Sequence, residues 1–375
     1  MQSEGLKAFF VVGILFPLHI LLGVASVPLL LYFLYCRSLW AWAFFIPYLP
    51  TFLWPASTRY PGWKGLDSMW RYFDYTKTCS DYFGSFEVRA SAPIDPSAQY
   101  FIGSHPHGTL IFQRMFWRSS LLEPLFPGER LRMLGASVLF RIPIVREVRR
   151  MAALCSPYNC VLAWPSSFFF PRCRFVLPRH HPLTLWSLFR NPQMTLWFGA
   201  VDASRPNCET LMKSGATVVV YPGGIDEMPL KGDGADSNVR VRTRAGFIKV
   251  AAKHGVPVLP TFCFGELEAV SAVSPLPAPV AKFLQKQLRM STTCFLGRWN
   301  LFLPRRVPFT LCIGTPIPTR QCVEPAELDA EVARVHALYK AELAKIYEAN
   351  KESCGYGGRK LVFTCEQIEE RKKQK

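Results

Sequence analysis

The ten residues from Gln99 to Gly108, Gln-Tyr-Phe-Ile-Gly-Ser-His-Pro-His-Gly, join a short apolar run to a pair of histidines. The run Gln99–Gly103 is rich in aromatic and β-branched side chains, which predicts a strand. Pro106 fixes its own φ and disfavours helix at His105, so we expect a rigid turn after the strand. Gly108 allows backbone or a bound molecule to approach closely. The stretch therefore predicts a strand that ends in two imidazoles held on a turn.

The same alternation of short apolar runs and helical periods continues along the chain. Further strands are predicted at Thr217–Tyr221, Val256–Phe264 and Phe309–Ile313, and helices at Arg244–His254 and from about Pro325 onward. Gly255 is expected to cap the first helix. The second helix carries an apolar stripe that we interpret as core packing: Leu328, Val332, Val335, Leu338, Tyr339 and Ile346. This order predicts an α/β fold with a mostly parallel or mixed central sheet flanked by helices, and chemistry at the strand ends.

Composition and charge limit the class of protein. The chain has 375 residues, of which 50% are hydrophobic and 19% charged, and this excludes wholesale disorder, a collagen-like repeat and an extended coiled coil. The net charge of +17 favours an anionic partner, which leaves nucleic acid, membrane headgroups and phosphate-bearing substrates open. Twelve cysteines without any C-x-x-C pair indicate reduced thiols in a cytosolic compartment.

The N-terminal residues predict a membrane anchor. Ala8–Cys36 is almost free of ionisable groups and is long enough to cross a bilayer as a helix. A second apolar stretch, Leu39–Ser57, contains three prolines, which suit a re-entrant or interfacial segment better than a straight helix. We therefore predict a membrane hairpin over residues 1–58, with one or two spans left open. A signal peptide or a buried core helix is the alternative. The basic residues that follow place the main body in the cytosol by the positive-inside rule.

We assign residues 59–365 to one main domain and residues 366–375 to a charged tail. Within the domain, residues 148–193 contain six Arg and six Pro but no Asp, Glu or Lys, although the whole chain has 27 acidic residues. We interpret this segment as an insertion into the α/β domain. A true insertion and an artefact of the gene model both explain its composition.

Two clusters of polar residues follow predicted strands. Imidazole has an ordinary pKa near 6.5, so His105 and His107 are suited to taking and returning a proton at neutral pH. After the strand Thr217–Tyr221, Gly223 and Gly224 form a tight turn and Glu227 follows, whose carboxylate can hold an imidazole tautomer while glycine amides face an oxyanion. A metal site competes with catalysis, but no H-E-x-x-H accompanies the histidines. P-loop, G-x-S-x-G and G-x-G-x-x-G motifs are absent, which excludes kinase-like, serine-hydrolase and dinucleotide-binding classes.

A third cluster is basic. Arg242, Arg244 and Lys249 lie around the start of the helix predicted at Arg244–His254, where they can bind a phosphate or a lipid headgroup. A solvated helix face is the alternative interpretation.

Together these motifs resemble the type-2 diacylglycerol acyltransferase family, which includes monoacylglycerol and wax-alcohol acyltransferases. The residues that carry the resemblance are His105-Pro106-His107-Gly108, Gly223-Gly224-x-x-Glu227, Arg244–Lys249 with Phe264-Gly265-Glu266, and Phe309–Ile313 with the Gly-Thr-Pro-Ile-Pro that follows. One departure is Tyr82-Phe83-Gly84, which stands where the family has Tyr-Phe-Pro, so the role of this element is open.

The resemblance implies an enzyme that moves a fatty acyl group from coenzyme A to a lipid hydroxyl. We expect diacylglycerol as acceptor, with monoacylglycerol or a wax alcohol as alternatives, acyl-CoA as co-substrate, and no metal or other cofactor. His107 is expected to be the general base, with His105 shaping the turn and Glu227 orienting or stabilising the imidazolium. Substrate contacts are expected from Pro106, Gly108, Gly223, Gly224, Arg242, Arg244 and Lys249, the glycines as oxyanion donors and the bases as counter-charge to coenzyme A phosphates.

The resemblance also implies a location at the endoplasmic reticulum membrane, with the catalytic domain in the cytosol. The lipid droplet surface is a second expected location. Lys372 and Lys373 occupy the positions of a dilysine retrieval signal. The expected partners are the lipid bilayer and the two substrates; nucleic acid is not expected, because the basic residues are spread along the chain. A homo-oligomer is left open. A function of another class also fits the charge: a non-catalytic membrane-bound protein that binds anionic lipid.

Overall fold

The computed structural model describes residues 75–117, 119–127, 130–135, 200–227, 238–273 and 294–363, together with a few single residues elsewhere. The predicted insertion 148–193 and the tail 366–375 lie outside the described residues, and so does the predicted hairpin 1–58 apart from four single positions. One of these, Phe9, packs against one of the two large clusters of buried side chains. Within the described ranges, none of the helices combines the length and apolar character that a bilayer crossing requires.

The described chain contains helices and strands in alternation. The helices are α1 (Tyr75–Phe83), α2 (Gln113–Phe116), α3 (Arg205–Lys213), α4 (Gly246–His254), α5 (Glu266–Ala269) and α6 (Pro325–Asn350), with short 3-10 turns at Gly224–Glu227 and Arg298–Asn300. The strands are β1 (Phe86–Ala90), β2 (Phe101–His105), β3 (Leu131–Gly135), β4 (Ala200–Asp202), β5 (Thr217–Val220), β6 (Val239–Val241), β7 (Val258–Phe264), β8 (Ser271–Val273), β9 (Cys294–Leu296), β10 (Phe309–Ile313) and β11 (Leu361–Phe363).

Seven of these strands form one mixed sheet in the order β1-β10-β7-β2-β5-β3-β4. Every neighbouring pair is parallel except β10 and β7. β2 lies in the centre, where Gly103 is in register with Val220 of β5 and with Pro260 of β7. The predicted α/β class with a mostly parallel or mixed sheet is confirmed. Two smaller two-stranded sheets, β6 with β11 and β8 with β9, complete the strand pairing of the described residues.

Two clusters of buried side chains cover the two faces of the large sheet. Consecutive strand residues point to opposite faces, and Phe101 and Ile102 accordingly belong to different clusters. The cluster that contains Ile102 also contains residues of α1 and α2, whereas that of Phe101 contains residues of α3, α4 and α6. The central strands are therefore buried on both faces between layers of helices, as their continuous apolar runs require.

The predicted boundaries agree with the structure at some elements and shift at others. β10 has the predicted ends, and Gly255 caps α4 in the left-handed conformation with φ +64. β2 begins and ends two residues later than predicted, because its pairing with β7 continues through His105. In α6, Leu338 was wrongly included in the core stripe, since its side chain is 44% exposed while Tyr339 is buried. Adjacent helical residues point about 100° apart, so Leu338 lies at the margin of the face that buries Tyr339.

Candidate active site

The site lies where three adjacent parallel strands end. β5, β2 and β7 are neighbours in the sheet and run in the same direction, so their carboxyl ends share one edge. His107 follows β2, Glu227 follows β5 and Glu266 follows β7. This edge is the usual position of ligand sites in open α/β sheets.

The carboxylate of Glu227 joins three segments of the chain. Its Oε1 accepts the Nδ1–H of His105 at 2.7 Å and the backbone N–H of Arg242 at 2.8 Å, and its Oε2 accepts the backbone N–H of His107 at 2.7 Å. The side chain is completely buried. Charge-assisted bonds to a buried carboxylate are strong, so Glu227 fixes the turn that carries both histidines.

This arrangement shows which part of each histidine Glu227 holds. The carboxylate contacts the ring of His105 and only the backbone of His107. A carboxylate can only accept, so Nδ1 of His105 carries the proton, and the opposite ring nitrogen, Nε2, is buried without a partner among the described residues. The His105 ring also lies 5.9 Å from that of Tyr339 in α6, whose pKa burial raises well above its ordinary value.

His107 is half-buried at the edge of the sheet. Its Nδ1 lies 2.7 Å from the carbonyl oxygen of Gly108. A carbonyl oxygen only accepts, so Nδ1 is protonated and Nε2 keeps its lone pair. Burial, which penalises the imidazolium, lowers the pKa of His107, although the bond to Gly108 and the charge of Glu227 oppose this shift. At neutral pH the ring is therefore uncharged and Nε2 is able to accept a proton.

Glu266 supports the other side of the turn. Its Oε1 and Oε2 accept the backbone N–H groups of Phe112 and Gln113, each at 2.7 Å. Burial raises the pKa of Glu266 to about 8, against the opposing effect of these two bonds. A Cβ on Gly108, whose φ is +61, would lie 2.7 Å from Cγ of Glu266. Gly108 is therefore required by the close approach of Glu266, as well as by its own backbone conformation.

Gln113 ties the turn to β2. Its Oε1 accepts the hydroxyl of Ser104 at 2.6 Å, and its Nε2 donates to the carbonyl oxygen of Pro106 at 2.6 Å. Sequence reasoning missed Gln113 as a site residue, and nothing in its local pattern indicates the role. Glu266 was noted only within a motif, although a carboxylate directly after a strand is the signal that identified Glu227.

Arg114 is a second site residue that the sequence did not indicate. Its side chain crosses the sheet edge from α2: the guanidinium carbon lies 5.4 Å from the centre of the Tyr221 ring, after β5, and Nη2 donates to the carbonyl oxygen of Leu134 in β3 at 2.9 Å. Arg114 is 8% exposed, and its Nε has no partner among the described residues. The His107 ring packs edge-on against the same Tyr221 ring at 6.0 Å. A buried cation thus lies beside the histidine that can accept a proton.

The two glycines after β5 shape the turn that carries Glu227. The N–H of Gly224 donates to the carbonyl oxygen of Tyr221 at 3.2 Å and closes the turn. Gly223 provides the space that Glu227 fills, since a Cβ there would collide with the carboxylate. The amide of Gly224 is therefore already used within the turn.

The predicted basic residues occupy two places. Arg242 gives its backbone N–H to Glu227, and Nη1 of Arg244 lies 3.8 Å from the position of a Cβ on Gly224. Lys249 instead pairs with Asp329 of α6, with 2.6 Å between Nζ and Oδ1. The structure therefore places Arg242 and Arg244 beside the Glu227 turn and Lys249 in the contact between α4 and α6. In the described part of the chain, no cluster of His, Cys, Asp and Glu has the arrangement of a metal site.

The chain is similar to known lipid acyltransferases. A family model described as diacylglycerol acyltransferase matches residues 168–364, a range that includes Glu227 and Glu266 and begins after the His105–Gly108 turn. Bovine 2-acylglycerol O-acyltransferase 1 is 26% identical over 334 residues, which cover 84% of this chain and 83% of that protein. Diacylglycerol O-acyltransferase 2 of Xenopus tropicalis is 25% identical over 355 residues, or 90% of this chain and 82% of that protein. Human acyl-CoA wax alcohol acyltransferase 2 is 25% identical over 301 residues, or 76% and 75%. These relatives are named for different acceptors and are almost equally similar to this chain.

Proposed function

This chain belongs to the diacylglycerol acyltransferase family, and we propose that it transfers a fatty acyl group from acyl-CoA to the free hydroxyl of diacylglycerol, forming triacylglycerol. The observation that carries the proposal is the state of His107. Its Nδ1–H is bound to Gly108, so Nε2 has a free lone pair at the sheet edge. A lipid alcohol is a weak nucleophile and needs such a base to react with a thioester.

His107 first takes a proton from the alcohol and later returns it to the leaving group. Nε2 takes the hydroxyl proton as the alcohol oxygen bonds to the thioester carbon and the carbonyl electron pair moves onto oxygen. When this tetrahedral oxyanion collapses, the ester forms, the carbon–sulfur bond breaks, and the imidazolium returns its proton to the coenzyme A sulfur. The lowered pKa of His107 suits this cycle, because the ring is neutral before each turnover.

Arg114 is the group that we assign to the oxyanion. Its buried guanidinium lies at the same ring as His107, and its Nε is without a partner among the described residues. A fixed positive group that is buried stabilises a developing negative charge more effectively than it would in water. This role replaces the one expected for the amide of Gly224.

Arg242 and Arg244 are the proposed contacts for the coenzyme A phosphates. Both lie beside the Glu227 turn, and guanidinium groups bind phosphate through paired hydrogen bonds. Lys249 was included in the same expectation. It pairs with Asp329, so phosphate would have to compete there with a carboxylate already in place.

The acceptor is proposed to be diacylglycerol because the matching family model is described by that substrate. The relatives named for 2-acylglycerol and wax alcohol keep monoacylglycerol and long-chain alcohols as the second candidates. We also propose that the enzyme works at the endoplasmic reticulum membrane or on lipid droplets, since an apolar acceptor resides in a lipid phase.

The test uses the purified full chain in lipid vesicles with labelled acyl-CoA and one acceptor at a time. We expect triacylglycerol as the main product, and we expect His107→Ala to lower the rate by roughly 10²- to 10⁴-fold, the usual contribution of a general base. His254→Ala, at the end of α4 and outside the site, is the matched control and should retain full activity. Ester formation by His107→Ala at the wild-type rate would exclude this base. Vesicle binding without any ester product would favour the non-catalytic anionic-lipid-binding function.

A further inference from the structure

The turn between β9 and β10 exposes apolar side chains to solvent. The Trp299 loop, defined here as residues Gly297 to Arg306, has the sequence Gly-Arg-Trp-Asn-Leu-Phe-Leu-Pro-Arg-Arg. Trp299 is 70% exposed and Leu301 57% exposed, and Phe302 beside them is partly exposed. A tryptophan and a leucine exposed side by side at the tip of a turn indicate a contact surface for something outside the described chain.

The backbone of the loop is fixed. Gly297 donates to Leu301 at 2.8 Å, Leu301 donates to Arg298 at 2.9 Å, and Arg298 donates to Leu303 at 2.6 Å. Gly297 has no room for a side chain, since a Cβ would lie 1.8 Å from the carbonyl oxygen of Leu303. Trp299 adopts the left-handed conformation, with φ +53, which side chains rarely tolerate. The fold therefore holds the exposed indole outward at a cost in conformational energy.

Buried contacts anchor the base of the loop to the domain. Leu303 is buried in the core cluster, and the Phe302 ring packs against Phe295 of β9 at 5.3 Å. The hydroxyl of Tyr82 in α1 donates to the carbonyl oxygen of Pro304 at 2.7 Å. α1 is the first described helix after the N-terminal apolar segment. The base of the loop is thus held against α1.

The loop is basic as well as apolar. Residues 294–309 contain three arginines and no acidic residue. The Arg298 guanidinium lies 4.4 Å from the centre of the Trp299 ring, and that of Arg306 lies 5.7 Å from the Tyr82 ring. Arg305 is held by the carbonyl oxygen of Glu268 and the hydroxyl of Ser271. An exposed indole with guanidinium groups close to it combines the apolar and basic side chains that suit the acyl-chain boundary and the phosphates of a bilayer.

We propose that the Trp299 loop is a membrane-docking element that inserts Trp299 and Leu301 into the interface of a bilayer containing anionic lipid. The positive charge of the loop favours a bilayer with anionic headgroups. The headgroups would bind the arginines, and the indole would lie at the boundary with the acyl chains. The contact lies within the domain and is separate from the N-terminal hairpin predicted at residues 1–58. It orients the body of the protein against the lipid surface, and it stands whether or not the chemistry at His107 is as proposed.

The experiment reads the position of Trp299 directly. The full chain is bound to vesicles of phosphatidylcholine and phosphatidylserine, with lipids brominated near the headgroup end of the acyl chains as quenchers. The emission of Trp299 is obtained by subtracting the tryptophan emission of Trp299→Phe from that of wild type. Trp117→Phe is the matched control, because Trp117 is buried in the core and its fluorescence should respond to neither bromolipid nor acrylamide. We expect bromolipid to quench the Trp299 difference signal and acrylamide to leave it largely unchanged.

Charge gives the second measurement. If the arginines of the loop contact headgroups, removing phosphatidylserine should reduce the bromolipid quenching of Trp299. Arg298→Gln should weaken binding to the vesicles by about fivefold, as expected for one basic residue at an anionic surface. Quenching of Trp299 by acrylamide and not by bromolipid would show that the loop faces water. Protection from both quenchers would show that protein covers it. Either result overturns the proposal, and neither bears on the acyl-transfer assay with His107→Ala.

Discussion

The carboxyl group of Glu227 fills the space beside Gly223 that a side chain would occupy: a Cβ on Gly223 would lie 1.9 Å from Cδ of Glu227. Gly223→Ala must therefore displace the carboxylate that holds the ring of His105 and the backbone of His107. A shift of about 1 Å in catalytic groups costs on the order of 100-fold in rate. We expect a loss of at least that size in acyl transfer, measured with labelled acyl-CoA on full chain in vesicles.

Gly246→Ala is the matched control for this substitution. Gly246 is the first residue of α4, has no positive φ, and a Cβ there would have nothing within 4 Å. Alanine in a helix is favoured over glycine by about 0.5–1 kcal/mol, so this variant should be as active as wild type and slightly more stable. Equal activity of Gly223→Ala and Gly246→Ala would show that the position of Glu227 does not matter to the reaction.

The pH dependence of the rate should report His107. Burial lowers its pKa below the ordinary 6.5, so the neutral base persists into mildly acidic solution. We expect kcat/KM to be level around pH 7 and to fall only below pH 6.5, with His107→Ala showing no such limb. Because the folded state binds this proton less tightly than the unfolded state, the free energy of unfolding should also decrease as pH falls below about 6.5. An acid limb centred above pH 6.5 would contradict the assignment.

The sequence predicted four strands of the large sheet, β2, β5, β7 and β10, the two helices α4 and α6, and chemistry at the strand ends. Local patterns sufficed for this: β10 has the predicted ends, and both His107 and Glu227 follow strands that the apolar runs identify. Parallel neighbours bring their carboxyl ends together, so the prediction of a shared edge needed no knowledge of side-chain contacts.

The partners within the site could not be predicted in the same way. Glu227 lies 120 residues from His107 along the chain, and Glu266 lies 154 residues from Phe112. Which imidazole Glu227 binds depends on the order of strands and on the exact length of β2, and the sequence placed β2 two residues too early. Gln113 and Arg114 lie in a helix of four residues, too short to produce a periodic pattern. Their roles come from the neighbouring strands, which only the folded chain brings close.

Arg114 gives a prediction that separates transition-state from ground-state binding. If its guanidinium stabilises the oxyanion, Arg114→Met should lower kcat by about 10²- to 10³-fold and leave the KM for acyl-CoA nearly unchanged. Arg114→Lys keeps the charge but loses the planar fork, so it should recover part of the rate. Because Nη2 also donates to Leu134, the melting temperature of both variants is measured alongside the rate. A large rise in KM with unchanged kcat would instead identify Arg114 as a binding group for a permanent anion of the substrate.

Glu266 should make stability depend on pH in the opposite sense to an ordinary ion-paired carboxylate. Burial raises its pKa from 4.5 to about 8. The folded state therefore holds this proton more tightly than the unfolded state, and the free energy of unfolding should decrease as pH rises from 4.5 through about 8. Glu266→Gln removes the titrating group. As pH rises over that range, the melting temperature of wild type should therefore fall relative to that of the variant. Glu209→Gln, which replaces a half-buried carboxylate paired with Arg205 outside the site, is the control for the effect of a Glu-to-Gln substitution itself. Parallel profiles for wild type and Glu266→Gln would mean that Glu266 stays ionised throughout, held by the N–H groups of Phe112 and Gln113 against the effect of burial.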